Sequence, residues 1–272
     1  MRHRGGPCND RGVKSAPGPP GSLAVLFDYD DVAVAVRDDL TGAHAAVWDA
    51  LAAPGTWLDA AERTAVAGAT RDAAGCALCA ARRQALSPNA VDGDHDGAGG
   101  ALDATTLDVV HRMATDPARL TEAWYREVGE GELGPERYVE VVALVAQVVA
   151  VDRFCLGVGA PERPLDRSPG VGAPTRRSVT GATSETAWVP TVQPHDATGE
   201  VAELYGDGGD GAPNIRKALS LVPRDAARFF DLTDTMYVPP EGLLDVTWER
   251  SISRPQMELL AARVSAVNEC FY

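Results

Sequence analysis

The stretch GPERYVEVVALVAQVVAVDRF, residues 134–154, is the most apolar long segment of this 272-residue chain. Its many valines would suit a β-strand, but a run of about twenty residues with several alanines favours a buried helix. Pro135 directly after a glycine is typical of the first position of a helix. The stretch therefore predicts a long core helix, and Glu140 and Gln147 are its polar exceptions.

Outward from this segment, apolar residues continue to recur at helical spacing. No segment longer than a few residues alternates with the period of two that a half-buried strand requires. The fold is therefore predicted to be all-α. Further helices are predicted at residues 40–51, 59–74, 103–113, 198–205, 214–221 and 224–236 and from Ser253 onward.

Three sequence signals predict where helices begin. Asp59 with Glu62, and Ser253 with Gln256, have the spacing of a capping box, in which two side chains satisfy free backbone N–H groups. Asp116 precedes a proline and is predicted to cap another helix. These positions indicate helix starts independently of the apolar pattern.

Composition and charge limit the function. The net charge of −14 argues against a nucleic-acid partner and against docking on an anionic membrane. Five cysteines are too few for a disulfide scaffold at this length. Residues 1–21 are rich in Gly, Pro and Arg, predict a disordered tail and contain no apolar signal-peptide core. A reducing cytoplasm is the expected location.

The first chemical signal is Cys76-Ala77-Leu78-Cys79, a C-x-x-C motif. Gly75 allows the preceding helix to break, so that a new helix begins near Cys76. Free N–H groups at a helix N-terminus stabilise a thiolate, and Arg82 and Arg83 would add positive potential. Two thiols at this spacing can attack a peroxide and then close a disulfide.

The same motif has two plainer interpretations: a pair of small buried residues, or half of a zinc site. Zinc needs four ligands, and no second C-x-x-C or paired histidine is evident. We therefore expect no metal and no bound cofactor. His95 lies among aspartates and is predicted to be solvated, and His111 is predicted to be a structural histidine.

A second signal occupies residues 254–272, where Glu258 precedes Cys270 by twelve positions. This segment, with its Val-Ser-x-x-Asn-x-Cys pattern, resembles the signature of the alkylhydroperoxidase D-like, or carboxymuconolactone decarboxylase-like, family. Peroxidase members of that family have a glutamate twelve residues before a C-x-x-C and a histidine four residues after it. The second cysteine and that histidine have no counterpart after Cys270.

The resemblance extends less sharply to the first half of the chain. It implies that Cys79 is the attacking thiol and that Cys76 resolves the intermediate. Thr64 stands where the family has its glutamate, and Arg83 stands where it has its histidine. The candidates to replace them in the proton relay are Glu62, Asp72, His95 and His111.

The resemblance implies a duplicated helical bundle that reduces a hydroperoxide at the expense of an external dithiol and works as a homo-oligomer. Its two repeats would span residues 22–156 and 196–272, the second truncated, with residues 157–195 as a linker. Cys79, Cys76, Glu258 and Cys270 are then the candidate catalytic residues. The alternatives are a catalytically decayed helical scaffold and a lactone decarboxylase, whose known relatives lack the cysteine pair.

Overall fold

The computed structural model describes residues 27–268, except 98–99, 132, 166–167 and 186. The predicted all-α class is confirmed, because most of the chain is helical and only one small ribbon of strand is present in the described part. The helices are α1 (Asp38–Leu51), α2 (Ala60–Asp72), α3 (Ala77–Gln84), α4 (Ala104–Thr115), α5 (Glu122–Gly129), α6 (Pro135–Val158), α7 (Glu200–Tyr205), α8 (Asn214–Ala218), α9 (Pro223–Met236) and α10 (Arg254–Val267). Strands β1 (Ala182–Thr183) and β2 (Thr191–Val192) pair antiparallel.

Helix α6 is the centre of the fold and begins at Pro135, as predicted. It packs against α1, α2, α4 and α9, and its valines and alanines form much of the main apolar core. By length and composition α6 could also cross a membrane. In this fold 11 of its 24 residues are buried, Glu140 and Gln147 among them.

Two of the three capping signals identify a helix start correctly. Both predicted capping boxes are present, one at Asp59 before α2 and one at Ser253 before α10. The prediction at Asp116 is wrong. Its side chain pairs with Arg119 and leads only into a short 3-10 turn, whereas α5 begins after Thr121, whose hydroxyl accepts the Trp124 N–H.

A buried ion cluster connects three of the packed helices. Arg63 on α2 pairs with Glu140 on α6 and with Asp225 on α9, and all three side chains are almost fully buried. Arg228 also pairs with Asp225, at 2.9 Å, so that two positive groups face two negative ones.

Gly55 is part of the same arrangement. A Cβ atom at this position would overlap the side chains of Glu140 and Arg63, so only glycine leaves room for the ion pair. The Trp57 N–H nearby donates to Glu140 Oε2 at 2.6 Å. The turn that follows α1 is thus built around the buried carboxylate.

Within residues 157–195, the stretch from Gly170 to Arg176 lies along this turn. The N–H groups of Gly170, Thr175 and Arg176 donate to the carbonyl oxygens of Ala52, Gly55 and Thr56 in that order.

Beyond this segment, α9 packs on α1 and α6, and α10 lies at the surface with only Met257 buried. The predicted tail, residues 1–21, lies outside the described residues.

We predict that Arg63→Met lowers the free energy of unfolding by about 3–5 kcal/mol, because it leaves the buried Glu140 carboxylate without a counter-charge and Asp225 with Arg228 alone. Urea denaturation followed by circular dichroism measures the change. Arg126→Met is the matched control, since Arg126 pairs with Glu122 on an exposed helix face. Equal stability of the two variants would contradict the role assigned to the buried cluster.

Candidate functional site

The C-x-x-C motif lies at the start of α3, as the glycine before it predicted. Helix α2 ends at Asp72, a turn passes Gly75, and Cys76 is the N-cap residue of α3. Cys79 follows in the first turn of the helix. Both thiols are unpaired and buried, Cys76 with 1% and Cys79 with 2% of its surface exposed.

Two histidine side chains contact these sulfurs. His95 Nδ1 lies 3.5 Å from Cys76 Sγ and 3.6 Å from Cys79 Sγ. His111 Nδ1, on α4, lies 3.4 Å from Cys79 Sγ. The two imidazole rings are themselves adjacent, with centroids 4.2 Å apart.

These contacts correct two sequence interpretations. His95 is not solvated, because only 6% of its side chain is exposed. The premise that no histidine pair accompanies the cysteines is also wrong. Folding brings His95 and His111 together, so that one ligand atom from each of the four residues lies within 4.8 Å of the others.

Asp108 holds His95 in place from one turn before His111 on α4. Its Oδ1 accepts a hydrogen bond from His95 Nε2 at 2.8 Å, and its Oδ2 accepts one from Trp124 Nε1 at 3.2 Å. Arg82 of α3 pairs with the same carboxylate. Burial by itself raises the pKa of Asp108, but the hydrogen bonds from His95 and Arg82 outweigh it and hold that pKa well below its usual range.

Burial and polar contacts act in opposite directions on the other titratable groups of the site. Burial raises the pKa of Cys76, but backbone N–H groups of Cys79 and Asp96 and the His95 side chain bring it down to about 7. Burial likewise disfavours protonated His95, yet hydrogen bonds to Asp108 and both sulfurs raise its pKa to about 10. Burial and the neighbouring charge of His95 lower the pKa of His111 to about 4.

The segment that carries His95 is attached to α3 mainly by polar contacts. Asp96 Oδ2 accepts the Ala77 N–H at 2.7 Å and so caps α3. Arg82 Nε donates to the Val91 carbonyl at 3.2 Å. Apolar contacts here are few, because Cys76, Leu78 and Cys79 form a small cluster of their own, separate from the main core.

The other residues suggested for the proton relay do not contact the sulfurs. Glu62 completes the α2 capping box and pairs with Arg137 at 3.0 Å. The Thr64 hydroxyl donates to the Ala60 carbonyl within its own helix. Asp72 is not one of the four residues whose ligand atoms converge.

The candidate residues of the second half stand apart from this cluster. Glu258 forms an ion pair with Arg254 and accepts a hydrogen bond from Tyr237 at 2.8 Å, both on an exposed surface. Cys270 lies outside the described residues. Cys155 is buried in the main core, with its sulfur 3.6 Å from the Tyr29 hydroxyl.

A cavity of about 410 Å³ lies away from the cysteines, between α7, α8 and α9. Two ion pairs line it, Arg216 with Asp234 and Arg224 with Glu200, and it contains no cysteine or histidine. We therefore place the candidate site at the buried cysteine–histidine cluster.

Sequence reasoning missed Asp108 altogether, although one signal was available. Asp108 precedes His111 by three positions on a predicted helix, so the two side chains lie on the same helix face. No local pattern marked His95, because its position depends on how residues 91–97 fold over α3.

Comparison of the chain with protein-family models, curated proteins and solved structures finds no match.

We predict that Cys76 and Cys79 are alkylated slowly in the folded protein, because the segment that covers them must first open. Asp96→Ala removes a helix cap of about 1 kcal/mol and should raise the rate several-fold. Isotope-coded iodoacetamide with peptide mass spectrometry reports each cysteine separately. Asp94→Ala, an exposed neighbour in the same segment, is the control; equal rates in both variants would contradict the cap.

Proposed function

We propose that the protein is a dithiol oxidoreductase of the alkylhydroperoxidase D type that reduces hydroperoxides at Cys76 and Cys79. The observation that supports this most directly is the contact of His95 and His111 with the Cys79 sulfur. The resemblance implies a relay histidine four positions after the second cysteine, where this chain has Arg83. In the proposal, His95 and His111 take the place of that histidine.

In the proposed reaction, the two thiols are the reductant and one proton goes to the leaving alkoxide. The Cys79 thiolate attacks one peroxide oxygen, an S–O bond forms, the O–O bond breaks, and the leaving alkoxide takes a proton from a histidine. The Cys76 thiol then displaces water from the sulfenic acid and closes a disulfide. An external dithiol reduces that disulfide and restores both thiols, so that no bound cofactor is required.

The wider framework of the proposal also follows the resemblance. The helices of residues 22–156 would form one repeat of the family's bundle, and residues 196–272 would form part of a second. The substrate would be a small hydroperoxide, since the sulfurs are buried and the covering segment must open to admit it. A reducing compartment such as the cytoplasm suits a dithiol that must be regenerated.

One observation favours the alternative of a helical scaffold without peroxidase activity. Both sulfurs are almost fully buried, whereas a peroxidatic thiol must meet its substrate. The two functions differ in a measurable way, because a scaffold predicts no turnover of any peroxide in the presence of a dithiol.

We predict that Cys79→Ser abolishes hydroperoxide reduction in an assay coupled to dithiol oxidation. His95→Asn should lower kcat by about 10²-fold or more, because His95, whose pKa is raised to about 10, is the histidine that holds a proton to transfer at neutral pH. Cys155→Ser is the control, because it removes a buried thiol of the main core. Wild-type turnover in Cys79→Ser would refute the assignment.

A further variant, Cys76→Ser, tests which sulfur attacks the peroxide and which one then closes the disulfide. In Cys76→Ser the attacking thiol remains and the resolving thiol is gone, so one equivalent of peroxide should leave a sulfenic acid on Cys79. Dimedone labelling and mass spectrometry detect that species. A label on Cys76 in the Cys79→Ser variant instead would reverse the two roles.

We also propose that the protein is a homo-oligomer and that α10 contributes to the contact with a second copy. Four apolar side chains of α10 are more than half exposed: Leu259, Leu260, Val264 and Val267. Contiguous apolar surface of this kind is typical of interaction sites.

Leu260→Glu should therefore shift the protein to lower mass in size-exclusion chromatography with light scattering, because a carboxylate is costly to bury in an interface. Leu86→Glu is the matched control, since Leu86 is a fully exposed leucine in the first half of the chain. A monomeric wild-type protein at high concentration would contradict the assembly.

A further inference from the structure

We propose that Cys76, Cys79, His95 and His111 form a tetrahedral Zn²⁺ site. Two thiolates and two imidazoles are a common ligand set of zinc in proteins. Zinc lies about 2.3 Å from sulfur and about 2.0 Å from nitrogen, so that neighbouring sulfur and nitrogen ligands of a tetrahedral ion are about 3.6 Å apart.

The observed donor separations agree with this geometry. The three sulfur-to-nitrogen contacts measure 3.5, 3.6 and 3.4 Å, and all four donor atoms lie within 4.8 Å of one another. In both histidines the nitrogen that faces the sulfurs is Nδ1. The four donors thus surround one common point, although they come from a helix start, a loop and a second helix.

The surroundings of His95 are those of a metal ligand. Metal-binding histidines usually donate their second ring N–H to a carboxylate, which orients the ring and makes the free nitrogen a better ligand. Here His95 Nε2 lies 2.8 Å from Asp108 Oδ1, and Arg82 and Trp124 hold Asp108 in turn. His111 Nε2 has no such partner among the described residues.

Cys76 is likewise prepared for a thiolate. It is the N-cap residue of α3, so its sulfur lies beside the free backbone N–H groups of the first helical turn. Donation from backbone N–H groups stabilises a thiolate over a thiol. A doubly charged cation would balance the charges of the two cysteine thiolates.

A structural metal also explains how this part of the molecule is held together. The apolar cluster at α3 contains only Cys76, Leu78 and Cys79, with Val91 packed against it, and is separate from the main core. Four protein ligands leave no open coordination position, which is typical of structural rather than catalytic zinc. The ion would join α3, the segment that carries His95 and α4 where apolar packing is sparse.

The zinc site does not depend on the proposed peroxidase activity, and it limits that activity. A bound ion occupies the sulfur lone pairs that would attack a peroxide, so turnover would belong to the metal-free protein. Where both proposals hold, removal of zinc with a chelator should raise the initial rate of peroxide reduction. Where only the zinc site exists, the chelated protein stays inactive.

The test is the metal content of the full-length protein, expressed with added zinc and measured by inductively coupled plasma mass spectrometry after gel filtration. We expect about one zinc per chain in the wild type and in Cys155→Ser, and a loss of most of it in Cys79→Ser and His111→Asn. An equal metal content in all four proteins, or none in the wild type, would overturn the proposal.

A spectroscopic measurement guards against variants that lose zinc only because they fail to fold. Cobalt(II) bound to the metal-free wild type should show the visible bands of a tetrahedral ion and a thiolate charge-transfer band. Asp108→Asn keeps all four ligands but weakens the partner of His95, so its zinc affinity should fall about 10- to 100-fold with the cobalt spectrum retained. An octahedral cobalt spectrum in the wild type would refute the ligand set.

Discussion

The Arg63 guanidinium is buried between α2, α6 and α9, and its position depends on the carboxylates of Glu140 and Asp225 around it. A charge in this environment needs partners in a fixed geometry, since solvent cannot replace them. The cluster therefore fixes how α2 lies on the central helix. Because α2 runs on through a short turn to Cys76, the orientation of α2 also determines where the cysteine pair lies.

The cysteine–histidine cluster has a different physical basis from the rest of the fold. The main core is a continuous apolar cluster built around α6, whereas α3 has few apolar contacts of its own. Polar contacts from Asp96, Arg82 and Asp108 hold its neighbours instead. A region of this kind is more sensitive to the state of its sulfurs than to changes in the main core.

The two proposals for this cluster use the same atoms in different states. As free thiols, Cys76 and Cys79 lie close enough to form a disulfide once a peroxide has oxidised one of them, and the histidines can transfer protons. As thiolates bound to a cation, they would be unavailable to a peroxide. The burial of both sulfurs suits the second state better, and the contact of the Cys79 sulfur with His95 and His111 suits either state.

Patterns within short stretches of the chain were sufficient to predict the all-α class, the core helix at Pro135, the capping boxes at Asp59 and Ser253 and the break before Cys76. Each depends on residues within about one or two helical turns of one another, so all the interacting residues can be recognised in the sequence. The partners of Glu140 and the burial of His95 were not predictable in this way. They depend on side chains from distant elements that meet only when the helices pack. A buried charged or polar group needs a partner that is close in space, and such a partner can lie anywhere along the chain.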